Sequence, residues 1–246
     1  MLQSLLISSL HSKKKLTINV NGGATFGKYA PPLQYIQFVL LPLLRKMGYH
    51  SEINIIRHGF FPNGGALVKV IIQPLEELKP INLTEPGKIE DIDVISVASL
   101  KLKKPRVSER QYREVELMLK KKRYNLNIKK QYSESTCPGS GIVLVGRSDT
   151  GCIIGAGGLG ERGKSAEEVA AEAVNYFNRT VDLGACVDEY MSDQILPYMA
   201  MANGKSSIKT PVLSSHAQTN IHILEQFLLV KFNVSKKGSC VLIETI

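Results

Sequence analysis

The order of helix-like and strand-like segments constrains the fold of this chain most strongly, because a similar order occurs at both of its ends. Helical periodicity at 2–10 and 33–47 alternates with strand-like runs at 16–20, 51–56 and 66–72. Sheets that are covered by helices on one face bury such patterns. We therefore predict an α/β fold of the α+β type.

The two ends flank a segment that differs in composition. Turn-forming residues are frequent at 80–87, and a comparable alternation of helices and strands returns at about residue 182. We predict a larger domain built from 1–84 and 182–246, interrupted by an inserted basic α/β domain at 85–181. The elements predicted in the insert are strands at 91–100, 125–132, 141–147 and 152–155 and helices at 108–123 and 165–181, the last with a Ser165–Glu168 capping box. Those predicted after it are helices at 186–201 and from Asn220, and strands at 206–212, 228–234 and 239–244.

Positive charge is concentrated in the predicted insert. Residues 101–130 contain twelve Lys or Arg and three Glu, an excess equal to the net charge of +9 of the whole chain. Such a cluster is typical of a surface that binds a polyanion, most plausibly nucleic acid. A solvated helix face explains the same pattern equally well, and both interpretations stay open at this point.

The peptide 214–220 (SSHAQTN) contains the most distinctive candidate for chemistry. It precedes an amphipathic helical pattern, and Thr219 is a suitable N-cap, so we expect His216 to lie just ahead of a helix N-terminus. That position attracts anions and disfavours imidazolium, which favours a neutral, nucleophilic imidazole beside a phosphate site. On the local pattern alone, an ordinary polar loop residue is still the favoured interpretation.

Other sequence features exclude several classes of protein. The four cysteines lack metal-site spacing, which fits a reducing cytoplasm, and no apolar run is long enough to span a membrane. The glycine-rich run 155–164 superficially matches a phosphate loop over 158–165. No downstream strand ends in the acidic residue that such a loop needs, so we predict a simple turn before the helix at 165.

Taken together, the peptides of this chain resemble the RNA 3'-terminal phosphate cyclase family over nearly the whole sequence. The motifs that carry the resemblance are Gly22-Gly23 with Ala30-Pro31-Pro32, 57–65 (RHGFFPNGG), 159–168 (LGERGKSAEE), 189–194 (EYMSDQ) and the His216 peptide. The resemblance implies repeated units of two helices packed on a four-stranded sheet, with a small α/β domain inserted in the last repeat. It also implies ATP-dependent conversion of an RNA 3'-phosphate into a 2',3'-cyclic phosphodiester.

The resemblance further implies how the site is built. His216 would form a covalent histidine–AMP intermediate. Magnesium or manganese would neutralise the ATP triphosphate, although the resemblance leaves the metal-binding residues unknown. The residues implied in adenylate binding are Gln3, Pro31, Tyr190, Asp193 and Gln194. Three of them share the i, i+3, i+4 face of the helix predicted at 186–201. Packing or a solvated helix face is the alternative interpretation for each.

The sequence also departs from the family pattern. Members of the family begin with a further repeat that carries a Glu-Gly-Gly-Gly-Gln type motif, and this chain has no match to it. Ala66 replaces the third glycine of the 64–66 turn. We expect the chain to be a homo-oligomer or to pair with a separate N-terminal fragment, and to be a weak cyclase alone. The apolar helix at 2–10 is the element that we expect to be left uncovered.

Two other classes of function remain. A non-catalytic homologue that binds RNA or assists ribosome assembly would not need the His216 nucleophile. An enolpyruvyl-transferase-like enzyme would need a Lys, Arg and Asp constellation that the sequence lacks.

Overall fold

The computed structural model describes all 246 residues, which form three sheets and seven α-helical segments. The strands are β1 (Leu16–Asn21), β2 (Ser51–Arg57), β3 (Leu67–Ile72), β4 (Asn82–Leu83), β5 (Ile89–Ser99), β6 (Asn125–Ser133), β7 (Ser140–Ser148), β8 (Ile153–Leu159), β9 (Ser207–Thr210), β10 (Phe232–Lys237) and β11 (Cys240–Thr245). The helices are α1 (Leu2–Ser8), α2 (Leu33–Tyr35), α3 (Leu41–Lys46), α4 (Val107–Leu119), α5 (Ala166–Asp182), α6 (Glu189–Met201) and α7 (Ser215–Phe227). Mixed sheets and helices confirm the predicted α+β class.

The first and last sheets share one pattern of strand pairing. In the first, the order is β1-β3-β2 with antiparallel neighbours, and in the last it is β9-β11-β10, also antiparallel. The last sheet has a fourth strand, because β4 pairs in parallel with the outer edge of β9. The corresponding edge of β1 has no neighbouring strand, so the first unit has three strands where the resemblance implied four.

A continuous helical stretch crosses the main core at 33–46. It consists of α2, a π-helical turn at Ile36–Leu40 and α3, and it closely matches the helix predicted at 33–47. Leu40, Leu43 and Leu44 are almost fully buried in the larger of two hydrophobic cores. Gly48 follows the stretch with φ of +91°, a conformation that glycine adopts without strain at a helix end.

The third sheet has the order β6-β5-β7-β8, and its strands β5, β7 and β8 are buried on both faces, whereas the edge strand β6 is largely exposed. On one face, Val94 and Leu144 pack with Phe177 and other residues of α4 and α5 in the smaller core. On the other face, Ile95 and Val143 belong to the larger core. This two-sided burial explains why β7 is apolar along most of its length, without the alternation of a half-exposed strand.

The glycine-rich run was predicted as a turn, and that prediction was wrong for its first half. Strand β8 extends to Leu159 and pairs antiparallel with β7, so a phosphate loop does not form there. Gly155 and Gly158 are needed for close packing within the strand. A Cβ atom on Gly155 would lie 2.3 Å from the ring of Tyr35, and one on Gly158 would lie 2.5 Å from the carbonyl oxygen of Val169. The chain turns only after β8, before the confirmed Ser165–Glu168 capping box.

Several predicted boundaries in the last quarter of the chain were also wrong. Helix α6 begins at Glu189 and not at 186, because the N–H groups of Cys186 and Val187 bond to the carbonyl oxygen of Lys209. Helix α7 begins at Ser215 and not at Asn220. The remaining strands differ from their predicted limits in the same region, at Ser207–Thr210, Phe232–Lys237 and Cys240–Thr245.

Helix α1 is less exposed than we expected. Leu6 and Leu10 are both buried in the larger core. Large apolar side chains are exposed instead on and just after α7, where Phe227 is 81% exposed and Leu229 is fully exposed. None of the helices combines the length and the apolar character that crossing a membrane requires.

Candidate functional site

Asp188 fixes the start of α6 and bonds this helix to the helical stretch at 33–46 and to β8. Its side chain is completely buried and accepts three hydrogen bonds. The Tyr35 hydroxyl donates to Oδ1 over 2.6 Å, the Met191 N–H donates to Oδ1 over 3.1 Å, and the Gly155 N–H donates to Oδ2 over 3.0 Å. As the N-cap of α6, Asp188 therefore positions the helix that carries three of the predicted site residues.

Burial dominates the electrostatics of Asp188. Desolvation raises the pKa of its carboxyl to about 6, while the hydrogen bonds from Tyr35, Gly155 and Met191 act in the opposite direction. Burial and the neighbouring carboxylate together raise the pKa of Tyr35 well above its ordinary value. Sequence reasoning did not find Asp188. An acidic residue directly before a helix is the signal that could have indicated it.

Helix α6 presents Tyr190, Asp193 and Gln194 together, as the i, i+3, i+4 spacing predicts. The Tyr190 ring is 55% exposed and stacks on Tyr176 with 5.3 Å between ring centroids. Two oxygen atoms next to it, Oδ1 of Asp193 and Oε1 of Gln194, are buried and have no hydrogen-bond partner. Buried acceptors without partners are rare in folded proteins.

His216 lies within the first turn of α7 and not ahead of the helix as predicted. Ser214 is the N-cap, and its hydroxyl accepts a hydrogen bond from the Ala217 N–H over 3.0 Å. Thr219, the predicted cap, instead donates to the carbonyl oxygen of Ser215 within the helix. The His216 side chain is exposed at the end of the helix where unpaired N–H groups attract anions.

Helices α6 and α7 bring His216 and Asp193 to the same place. The Asn220 side-chain amide donates to the carbonyl oxygen of Asp193 over 3.0 Å, which fixes one helix against the other. Burial raises the pKa of the Asp193 carboxyl to about 6, and the charge of the neighbouring His216 acts to lower it. The arrangement places the exposed imidazole of His216 beside the carboxylate of Asp193.

Gln3 and Pro31 meet at a different cavity. Both line a space of about 210 Å³ beside Gly22 and Gly23, under β1 and the start of α2. Tyr190, Asp193, Gln194 and His216 do not line this cavity. The structure therefore divides the predicted residues into two groups. Tyr35, two residues into the helical stretch after Pro31, connects the two groups through its bond to Asp188.

The residues of this chain do not form a metal cluster. No three His, Cys, Asp or Glu side chains converge on a point where they could hold an ion. Ala66 also proves compatible with its turn, because positive φ angles occur at Gly64 and Gly65 but not at residue 66. The replacement of the third glycine is therefore accommodated without backbone strain.

Comparisons with known proteins identify the family of this chain. The family model described as RNA 3'-terminal phosphate cyclase matches residues 1–234, and the chain belongs to that family. It is 38% identical to the RNA 3'-terminal phosphate cyclase of Caldivirga maquilingensis, over 96% of this chain and 68% of that protein. It is 37% identical to the one from Pyrobaculum neutrophilum, over 90% and 64% of the two chains. The corresponding values for a probable cyclase of Dictyostelium discoideum are 37%, 89% and 51%. The chain thus spans about two thirds or less of the length of these relatives.

Proposed function

We propose that this chain takes part in the ATP-dependent conversion of an RNA 3'-terminal phosphate into a 2',3'-cyclic phosphodiester, with His216 as the nucleophile. The observation that carries the proposal is the meeting of α6 and α7. His216 lies there on a helix N-terminal turn beside Asp193, whose Oδ1 atom is buried without a hydrogen-bond partner. Membership of the cyclase family supports the reaction class.

His216 would react in the first step through a ring nitrogen. That nitrogen forms a bond to the α-phosphorus of ATP while the bond from this phosphorus to the bridging oxygen breaks, and pyrophosphate leaves. An oxygen of the RNA 3'-phosphate then takes the AMP from His216 as the phosphorus–nitrogen bond breaks. Finally, the RNA 2'-hydroxyl attacks the activated 3'-phosphorus, loses its proton and displaces AMP. The adjacent hydroxyl is effective because it is already held beside its target.

The other residues of the site would bind the nucleotide. Oδ1 of Asp193 and Oε1 of Gln194 are buried acceptors without a protein partner, and each would accept a hydrogen bond from a hydroxyl or amino group of ATP after a side-chain rotation that exposes it. The exposed ring of Tyr190 offers an apolar face to the base. Gln3 and Pro31 would contribute from the neighbouring cavity. Since no cluster of ligands converges in this chain, we derive no step through a divalent metal, and its ligands would come from ATP or from another chain.

Labelling with α-phosphorus-labelled ATP tests this proposal. Incubation with magnesium or manganese, followed by denaturing electrophoresis, is expected to leave acid-labile, alkali-stable label on the protein. His216→Ala is expected to abolish the label. His222→Ala is the matched control, because His222 is exposed on the same helix and bonds only to Gln226. Normal labelling of His216→Ala would overturn the assignment, whereas RNA binding without any label would favour the non-catalytic alternative.

We also propose that the chain self-associates or pairs with a separate chain that supplies a further repeat. The open edge of β1 leaves backbone groups available for a parallel strand, as β9 accepts β4 in the last sheet. The exposed Phe227 and Leu229 add an apolar surface that a partner would cover. Sedimentation is expected to show a dimer or larger species, or a complex once a separate chain that carries the further repeat is added. A monomer with full cyclase turnover would contradict both self-association and pairing with a separate chain.

A further inference from the structure

A second cavity lies away from His216, between the third sheet and the first unit. It has a volume of about 770 Å³ and is bounded by Phe61-Pro62, by the segment 137–140 and by the turn that leads from Leu159 to Ser165. Leu102, in the turn before α4, and Val107, the first residue of α4, form part of its apolar wall. We call this cavity the α4 cleft. It has the size and mixed lining of a ligand site, and neither His216 nor any α6 residue contributes to it.

Most charged side chains inside the α4 cleft neutralise one another. Arg110 forms a bidentate pair with Glu167, with distances of 2.7 and 2.6 Å. Lys28 lies 3.7 Å from Glu161, and Lys164 pairs with Glu172. These ion pairs hold the walls of the cleft together and leave little charge for a ligand.

The rim of the α4 cleft is different, because its cations are unpaired. Arg162 lines the cleft and is exposed, and it forms no ion pair. Lys103, Lys104 and Arg106 do not themselves line the cleft, but they lie in the turn between Leu102 and Val107, which do. All three are exposed, and none forms an ion pair. Leu102, in the same turn, points into the cleft wall. Arg162 and this turn thus place unpaired positive charge beside the cleft.

Phe61 is the second unusual feature of the α4 cleft. Its side chain is 53% exposed although it lies in a cavity wall, next to Pro62 and Pro138. The backbone around it is well anchored, since the carbonyl oxygen of neighbouring Phe60 accepts from the Cys137 thiol and from the Gly64 N–H. An exposed aromatic ring on a firm backbone beside unpaired cations is the arrangement that binds single-stranded nucleic acid, by stacking on a base and neutralising phosphates.

The other cationic end of the basic segment lacks these features. Lys120, Lys121 and Lys122 follow the C-terminus of α4, and Lys122 pairs with Asp182 over 2.5 Å. A helix of thirteen residues separates them from the cleft, which places them about 20 Å away along its axis. These three lysines therefore serve as a control of similar charge that lies outside the α4 cleft.

We propose that the α4 cleft binds single-stranded RNA, with a base stacked on Phe61 and the backbone phosphates held by Arg162, Lys103 and Lys104. The inference deepens the proposed function, on which it rests for the identity of the polymer. Lys28 lines this cleft, and Pro31, three residues later, lines the cavity that contains Gln3. The cleft therefore adjoins the loop that leads to the nucleotide site, and it would hold RNA upstream of the reacting 3'-end.

Fluorescence anisotropy with a labelled single-stranded oligouridylate tests this proposal without ATP. The double variant Lys103→Glu/Lys104→Glu is expected to weaken binding at least tenfold at low salt. It should also reduce the slope of log affinity against log salt by about 1.4, since each single-strand phosphate contact contributes about 0.7. The matched variant Lys120→Glu/Lys121→Glu has the same change in charge and is expected to alter affinity less than threefold. Equal losses in the two double variants would overturn the assignment to the cleft.

Phe61→Ala tests the stacking step separately. Stacking on one base is worth about a factor of ten in affinity, so Phe61→Ala is expected to weaken binding by about that factor. An oligonucleotide with abasic positions is expected to bind the unaltered protein more weakly, but to bind Phe61→Ala as well as the intact oligomer does. Phe61→Leu should behave like Phe61→Ala, because leucine keeps the apolar surface without the ring. Equal binding of polyglutamate, or a Phe61→Ala affinity within twofold of the unaltered protein, would refute RNA recognition here. Because binding is measured without ATP, these results are independent of His216 labelling.

Discussion

Replacement of Asp188 by alanine is expected to cost the protein several kcal/mol, although the residue contacts no substrate in the proposed reaction. Its side chain is fully buried and accepts from Tyr35, Gly155 and Met191. Alanine would leave three buried donors without a partner, at about 1–3 kcal/mol each. Part of this loss is offset, because alanine also removes the unfavourable burial of a charged carboxyl. That burial is what raises the pKa of Asp188 to about 6. We therefore expect the free energy of unfolding to fall by about 3–5 kcal/mol.

Urea denaturation followed by circular dichroism measures this change. At about 2–4 °C per kcal/mol for a chain of this length, the melting temperature should fall by roughly 6–20 °C. Tyr35→Phe removes one of the three donors and is expected to cost only about 1 kcal/mol. Asp182→Ala is the control, because Asp182 is exposed and makes only a surface ion pair with Lys122, so its loss should change stability by less than about 1 kcal/mol. A loss below about 1 kcal/mol for Asp188→Ala would refute the view that this carboxylate holds the layers together.

Two further predictions concern packing and pH. Gly155→Ala is expected to destabilise the protein by about 1–3 kcal/mol, because the new Cβ would overlap the Tyr35 ring. Gly27→Ala is the control and should be nearly neutral, because the nearest atom to its new Cβ lies 3.6 Å away. Equal melting temperatures of the two variants would contradict this prediction. Burial lowers the pKa of His58 below its ordinary value, so its contribution to stability is present at neutral pH and is lost as the pH falls through the folded-state pKa. The stability difference between the unaltered protein and His58→Gln should therefore shrink from pH 7 to pH 5, and a constant difference would rule this mechanism out.

The sequence predicted best those elements whose signals are local. The capping box of α5 and the glycine after α3 lie within a few residues of the ends that they mark, and both were placed correctly. The start of α7 was misplaced because Ser214 and Thr219 are both good caps, and only the preceding chain path decides between them. The continuation of β8 beyond residue 155 was missed because its glycines are needed for close packing, as Gly158 is against Val169 of the next helix, and the local sequence does not reveal that contact.

The same distinction between local and long-range signals applies to the residues of the candidate site. The shared face of Tyr190, Asp193 and Gln194 follows from helical spacing alone, so the sequence predicted it. Asp188 was missed because its importance depends on partners from two other layers. The basic segment was recognised by composition, but only the fold separates the unpaired cations near Phe61 from the lysines at the far end of α4.

The two-sided burial of the third sheet limits how the polypeptide can be divided. An excised fragment covering 85–181 would expose Ile95, Val143 and their neighbours, which the rest of the chain covers in the intact protein. Such a fragment would need polar replacements on that face to remain monomeric. Conversely, deletion of the segment would uncover the helical stretch at 33–46, including Val39 and Tyr35, against which β8 packs. A shortened version of this protein therefore requires redesign of both newly exposed surfaces. Moving the basic segment alone into another protein would likewise expose the apolar face that the rest of this chain now covers.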